Sequence, residues 1–115
     1  MRGRTLVAVT IPAGASLSGD VNVNDLQIVG IQMPAGWDAA GIAFSALLGD
    51  GTTFGKVQDA TGTEVVITSP AAATYVAIAP TVATIGLGRI RVRSGTAAVP
   101  VNQTADRVFA LVCVG

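Results

Sequence analysis

Apolar runs of five to nine residues alternate along the chain with clusters of Gly, Pro, Asn, Asp and Ser. No segment keeps its apolar residues at a helical spacing for three consecutive turns, whereas several alternate apolar and polar residues. Short runs of this kind, separated by turn-forming residues, are typical of β-strands. We therefore predict strands at residues 5–11, 26–33, 42–48, 53–58, 64–68, 75–79, 89–93 and 107–114.

The turns between these runs predict how the strands are connected. Asp50-Gly51 favours a hairpin between the third and fourth strands, because both residues tolerate positive φ. Pro12, Pro34 and Pro80 each follow an apolar run, where proline ends a strand because it cannot donate to the ladder. We predict an all-β protein: an antiparallel β-sandwich or jelly-roll-like single domain of about eight strands.

Two of the predicted strands indicate what surrounds them. Arg89, Arg91 and Arg93 alternate with Ile90 and Val92, so the three guanidinium groups share one face and the aliphatic side chains share the other. The last strand, 107–114, is apolar on both faces. Such a strand lies in the middle of a sheet or at an interface.

Composition predicts an interaction protein. At 115 residues the chain fits a single domain spanning 1–115, yet half of its residues are hydrophobic and only 12% are charged. Ordinary soluble domains have about 25% charged residues. Apolar side chains beyond the capacity of one core form exposed patches, and large patches mark interaction sites. We therefore expect this surplus to lie at contacts with other subunits.

Net charge and residue spacing exclude two classes of partner. Seven basic and seven acidic residues cancel, so nothing attracts the chain to nucleic acid or to an acidic membrane. Residues 65–88 carry no charge and are numerous enough to span a bilayer. They contain two prolines and two glycines, however, and are predicted to form strands and turns instead.

The chain lacks the residues on which most catalytic and metal sites depend. It has no histidine, and Cys113 is its only cysteine, in an apolar run typical of a core strand. We predict no enzymatic activity, no cofactor and no metal. An enzyme would have to use carboxylates alone, such as Asp38 with Asp50 or Asp59.

Residues 20–25 were considered as a calcium loop, because they alternate oxygen-bearing side chains. Asp25 stands where such a loop needs glycine, and Ile31 where it needs a bidentate carboxylate. A turn stabilised by Asn and Asp is the favoured interpretation.

The N-terminal segment, residues 1–12, is predicted to be a strand or an arm that contacts a neighbouring subunit. Arg2 and Arg4 precede an apolar run, a pattern with a weak likeness to a signal peptide. The run is short, β-branched and interrupted by Pro12, so we expect it to remain uncleaved. Arg2 and Arg4 are candidate interface residues.

Two further features are candidates for the interface. Trp37, the only tryptophan, follows Pro34-Ala35-Gly36 and either closes one end of the sandwich or anchors a partner. The face formed by Arg89, Arg91 and Arg93 is either a solvated edge or a surface that meets carboxylates of another subunit.

At several short motifs the chain resembles small structural proteins of tailed bacteriophages. The motifs are Met33-Pro34-Ala35-Gly36-Trp37, Ala43-Phe44, Gly49-Asp50-Gly51-Thr52-Thr53-Phe54, Arg91-Val92-Arg93-Ser94-Gly95-Thr96 and Asp106-Arg107. The resemblance is to head decoration, or cement, proteins, and it implies a β-sandwich subunit that binds the lattice of the major capsid protein. It further implies a homotrimer at local threefold positions, made in the host cytoplasm and located on the virion surface.

A second functional class remains open at the level of sequence. β-Sandwiches of this size also serve as receptor-binding or carbohydrate-binding modules of phage fibres and tails. Sites for sugars usually present several exposed aromatic rings, and here aromatic residues make up 4% of the chain.

Overall fold

Two antiparallel sheets face each other in the computed structural model, which describes residues 3–68, 70–78 and 84–115. This arrangement is a β-sandwich, as the alternating sequence pattern predicts. The nine strands of the described residues are β1 (Arg4–Ile11), β2 (Val21–Asn24), β3 (Gln27–Gln32), β4 (Ile42–Leu47), β5 (Phe54–Lys56), β6 (Val66–Ile67), β7 (Tyr75–Ala77), β8 (Gly88–Ser94) and β9 (Arg107–Val114).

The first sheet, sheet A, has the strand order β1-β9-β3-β7. The second, sheet B, has the order β2-β8-β4-β5, and β6 also pairs with β4. The N-terminal and C-terminal strands therefore lie side by side, in an unbroken antiparallel register from Arg4 opposite Val114 to Ile11 opposite Arg107. β9 has a neighbour on both sides, so this doubly apolar strand lies within a sheet, which is one of the two positions that its sequence predicts.

The core lies between the sheets and is built from the inward residues of each strand. Every second side chain of a strand points to the same face, so the apolar residues at alternate positions of each strand are enough to fill the core. Its largest fully buried apolar side chains are Val9, Ile11, Val23, Ile28, Ile31, Ile42, Phe44, Ile90, Val92 and Leu111.

The predicted strands are observed, with shorter bounds in several cases. The run at 75–79 forms β7 only as far as Ala77; residues 79–83, including Pro80, lie outside the described residues. The run at 64–68 contributes β6, with Val65 and Ile67 packed against the core as predicted.

β2 is a strand that the sequence prediction missed. The sequence favours a turn at residues 20–25, but Val21 and Val23 are buried while Asn22 and Asn24 point outward. Asn24 adopts a left-handed conformation with φ of 50°, and the register with β8 shifts between Asn22 and Asn24. Val21 to Asn24 contains only two apolar–polar repeats. This is too short an alternation to predict a strand against the preference of Asn for turns.

The hairpin between β4 and β5 is longer than the Asp50-Gly51 motif predicts. Thr53 accepts a hydrogen bond at its carbonyl from the Leu48 amide, so residues 49–52 form the loop. Leu48, expected on the inner face, is 50% exposed because β4 ends before it. Gly51 still supplies the positive φ, at 77°.

Candidate interaction surfaces

The outward side of sheet A is a continuous surface on which Arg4, at one border, is the only charged side chain among the described residues. Because Val9 and Ile11 point into the core, Leu6, Ala8 and Thr10 of β1 point outward, opposite Val112, Ala110 and Val108 of β9. We call this surface the apolar face. Its members are Leu6, Ala8, Thr10, Gly30, Gln32, Tyr75, Ala77, Val108, Ala110, Val112 and Val114.

Large side chains of the apolar face are open to solvent. Leu6 and Tyr75 are each 50% exposed, and Val108 is 63% exposed. Arg4, opposite Val114 in the register, stands at the border of the face. The scarcity of charge on this surface matches the core of protein interfaces, which is depleted of charged residues.

Val112, at the centre of the apolar face, is buried although it points away from the core. It is only 1% exposed and lies between Leu6 on β1 and Gly30 on β3. The ring of Tyr75 lies over Gly30 and occupies the space that a side chain at position 30 would fill. The apolar face therefore has a packed centre of its own.

The outward side of sheet B is basic. Alternation along β8 sends Ile90 and Val92 into the core and Arg89, Arg91 and Arg93 outward, as predicted. The register then adds Lys56, which lies opposite Ser45, itself opposite Arg91. We call these four residues the basic face; they are four of the seven basic residues of the chain.

Arg91 is the member of the basic face whose position is fixed by neighbours. Its Nε donates to Asp20 Oδ1 at 2.8 Å, and its guanidinium carbon lies 4.0 Å from the centroid of the Phe54 ring. Among the described residues it is the only member of the basic face in an ion pair. Both partners of that pair are over a third exposed, so it orients Arg91 more than it stabilises the fold.

Trp37 lies in the loop between β3 and β4 and covers one end of the core. Its ring meets Phe109 edge to face at a centroid distance of 6.0 Å and an interplanar angle of 79°. Its Nε1 donates to the Ala40 carbonyl at 3.1 Å. This geometry is that of the core lid, one of the two interpretations of its sequence position, and a partner contact by its exposed part stays a prediction.

A buried glutamine organises the loops beside Trp37. Gln103 Nε2 donates to Ser94 Oγ at 2.8 Å and to the Asp38 carbonyl at 3.1 Å. Its Oε1 accepts from the Asp38 amide at 2.8 Å and from Arg107 Nε at 3.1 Å. All four hydrogen-bonding sites of the Gln103 amide are thus used. The arrangement joins the β3–β4 and β8–β9 loops to the end of β8 and the start of β9, and it is structural in character.

The carboxylates considered for catalysis stabilise loops. Asp50 accepts hydrogen bonds from the amides of Thr52 and Thr53, and its pKa is lowered to about 2, chiefly by the Thr53 hydroxyl. The Thr61 hydroxyl similarly lowers the pKa of Asp59. Carboxyls held ionised in this way are poor general acids at neutral pH.

Asp38 is separated from Asp50 and held by other partners. The Thr104 amide is the main cause of its lowered pKa, and Arg107 Nη2 donates to Asp38 Oδ1 at 3.0 Å. Asp38 precedes β4 and Asp50 follows it, so the two lie beyond opposite ends of that strand. The structure therefore does not bring together Asp38 and Asp50, one of the two carboxylate pairs named as candidates for an enzyme.

A surface depression and the single cysteine also show no sign of a catalytic or binding site. A depression of about 330 Å³ is lined by Ala39, Ala40, Gly41 and Pro70, none of which is ionisable or nucleophilic. Cys113 is fully buried on β9, and burial raises the pKa of its thiol. Burial within the core confirms the sequence interpretation of Cys113 as a core residue.

The structure separates the residues predicted for the interface. Arg89, Arg91 and Arg93 form one face, Trp37 lies at an end of the sandwich, and Arg4 lies at the border of the opposite sheet. Arg2 lies outside the described residues. Their roles in binding stay predictions.

Sequence reasoning missed the apolar face itself. The signal was present in the doubly apolar pattern of 107–114, but identifying the face required the strand pairing that places Tyr75 and Leu6 on the same side of the sheet. Gln103 gave no signal, because nothing in its sequence neighbourhood distinguishes a buried glutamine from a loop residue.

Comparison with known proteins returned no relative: no family model, no curated protein and no solved structure matches the chain. None of the described residues belongs to a helix long and apolar enough to cross a membrane.

Proposed function

We propose that the protein is a non-enzymatic structural subunit of a tailed-bacteriophage virion. It decorates and stabilises the capsid by binding the major capsid protein, and three copies form a trimer at each binding position on the capsid lattice. The observation that carries the proposal is the partly exposed apolar face of sheet A, which has a single charged residue, Arg4, at its border. The motifs that resemble head decoration proteins supply the identity of the partner.

The size of the apolar face suits the centre of a protein interface. From strand spacing and rise, the outward side of sheet A covers on the order of 400 Å². That is about half of the ~800 Å² that one partner contributes to a standard interface. The surrounding loops would supply the polar rim that such interfaces have.

The basic face is a second surface for contact with the capsid, and its proposed role differs from that of the apolar face. Arg89, Arg93 and Lys56 lie on the opposite sheet from the apolar face, so a bound subunit presents them away from that contact. Charged groups at such positions determine orientation and association rate more than affinity. We infer that carboxylates of a neighbouring capsid subunit meet this face.

A carbohydrate-binding module of a fibre or tail is the alternative function. Tyr75 is the one aromatic side chain of the five that is exposed. Its neighbours on the apolar face provide few polar groups for sugar hydroxyls, which weighs against this alternative. Strong, selective binding on a glycan array would nevertheless reverse the order of the two proposals.

The decisive experiment is co-sedimentation with undecorated capsids of the parent phage. Val108→Asp places a charge in the apolar face, and we expect it to reduce occupancy at least roughly tenfold, since a charge buried without a partner is costly. Val99→Asp is the matched control, because Val99 is 67% exposed but lies in the loop between β8 and β9. Wild-type protein that fails to bind capsids, or equal binding by both variants, would refute the proposal.

A further inference from the structure

The strands at the sheet edges differ in how they are protected from pairing with another chain. Free edges expose unpaired amide and carbonyl groups, and proteins shield them with short strands, bulges, charges or proline. β7 and β5 have three residues each and β6 has two, while β5 also carries Lys56. β2 has four residues and an irregular register.

β1 is less protected, because its one charged residue, Arg4, and the nearest proline, Pro12, lie only at its two ends. It is eight residues long, pairs with β9 in an unbroken register, and has no other hydrogen-bonded neighbour among the described strands. From Thr5 to Ile11 it contains no charged residue and no proline. An extended edge of this kind is a template for strand addition.

The charges near the two ends of β1 favour one occupant and one orientation. Arg4 begins the strand, and beyond its other end the Ala13 amide donates to Asp106 Oδ1 at 2.7 Å, which places an exposed carboxylate there. If two copies of β1 pair antiparallel about Val7 or Ala8, each Arg4 faces Thr10 or Pro12 of the other copy and approaches its Asp106. A parallel pairing would instead bring the two arginines together.

We propose that the free edge of β1 binds the β1 edge of a second copy of this chain, antiparallel and about a two-fold axis. The two copies of sheet A then form one eight-stranded sheet, and the two apolar faces become continuous across it. Such an interface is isologous, so a single self-complementary strand is sufficient. This dimer is the state of the free protein in solution, whereas the trimer of the proposed function forms on the capsid lattice.

The first test is the mass of the purified protein in solution, with a pair of matched variants. We expect twice the 11.5 kDa of one chain. Ala8→Lys puts two lysines within about 8 Å of each other in either register, and we expect it to raise the dimer dissociation constant on the order of tenfold or more.

The control is Ala77→Lys, which makes the same change on an exposed outward residue at the opposite edge of sheet A. It should leave the dimer intact. If both variants weaken the dimer equally, association occurs through the apolar face and the β1 proposal is wrong. A monomeric or trimeric mass would also overturn it.

Amide hydrogen exchange on the unmodified protein provides a second test that does not depend on a variant folding. In one copy, about half of the β1 amides point away from β9 and exchange freely. Pairing would protect these amides, and their protection should increase with protein concentration. β1 amides that exchange at the same rate at all concentrations, in a sample of dimeric mass, would contradict the proposal.

Discussion

The ring of Tyr75 on β7 lies directly over Gly30 on β3. A Cβ at position 30 would lie 2.6 Å from the Tyr75 Cζ atom, far inside van der Waals contact. Glycine inside a strand leaves its neighbours uncovered, and an aromatic ring from the adjacent strand compensates for this. Here the compensation covers the centre of the apolar face next to Val112.

We therefore predict that Gly30→Ala displaces the Tyr75 ring and lowers the free energy of unfolding by about 1 kcal/mol. In a Tyr75→Ala background, Gly30→Ala should lower the free energy of unfolding by less, because the ring is no longer there to be displaced. The difference between the two losses is the coupling energy of a double-mutant cycle. Urea unfolding measures all four proteins. Gly19→Ala is the control, since a Cβ at Gly19 meets nothing within 4 Å. Additive effects of the two substitutions would contradict the predicted contact.

Removal of the Gln103 amide should destabilise the protein substantially. Gln103→Ala deprives Ser94 Oγ, the Asp38 amide and Arg107 Nε of a buried or partly buried partner. With an unsatisfied buried group costing about 1–3 kcal/mol, we expect a loss of about 3 kcal/mol in unfolding free energy. Asn102→Ala, at the exposed neighbouring position, should change it by less than about 0.5 kcal/mol. Similar effects of the two substitutions would show that the Gln103 hydrogen bonds contribute little.

Acid should destabilise the protein through Asp50. The pKa of this carboxyl falls from an ordinary value of 3.8 to about 2 in the folded state. A depressed folded pKa contributes stability above the unfolded pKa, and that contribution is lost as pH falls from about 4 through about 2. Asp38 and Asp59, whose pKa values are also lowered, act in the same direction.

Asp50→Asn tests this assignment by comparing two pH values. The variant should be less stable than the wild type at pH 7, where the carboxylate accepts from Thr52 and Thr53. At pH 2 and below the difference should shrink, because the wild-type carboxyl becomes protonated. Thermal unfolding at both pH values measures the effect. A stability difference that does not change with pH would rule out the charge of Asp50 as its cause.

Arg89 and Arg93 should contribute to capsid binding without contributing to the fold. Neither takes part in an ion pair among the described residues, so Arg89→Gln with Arg93→Gln should leave the melting temperature nearly unchanged. Under the proposed function the double variant should bind capsids more weakly, and its binding should depend less on salt. Salt titrations of both proteins in the co-sedimentation assay measure this. Identical salt dependence would show that the basic face does not contact the capsid.

The sequence alone determined the fold class and most of the strands, and it limited β9 to the middle of a sheet or an interface. These depend on local alternation and on turn residues, which act over a few neighbours along the chain. The outward direction of the three arginines on β8 follows from the same short-range rule. β2 escaped prediction because Asn22 and Asn24 have turn preferences that only pairing with β8 overrides.

Only the tertiary structure decided which strands are neighbours, and the candidate surfaces depend on that choice. The apolar face requires Leu6, Tyr75 and Val108, which are far apart in sequence, to lie on one side of sheet A. Likewise, the exposure of the β1 edge depends on which strands fill the rest of the sheet. Strand order follows from packing two sheets around a shared core, a cooperative choice among distant segments that no local pattern encodes.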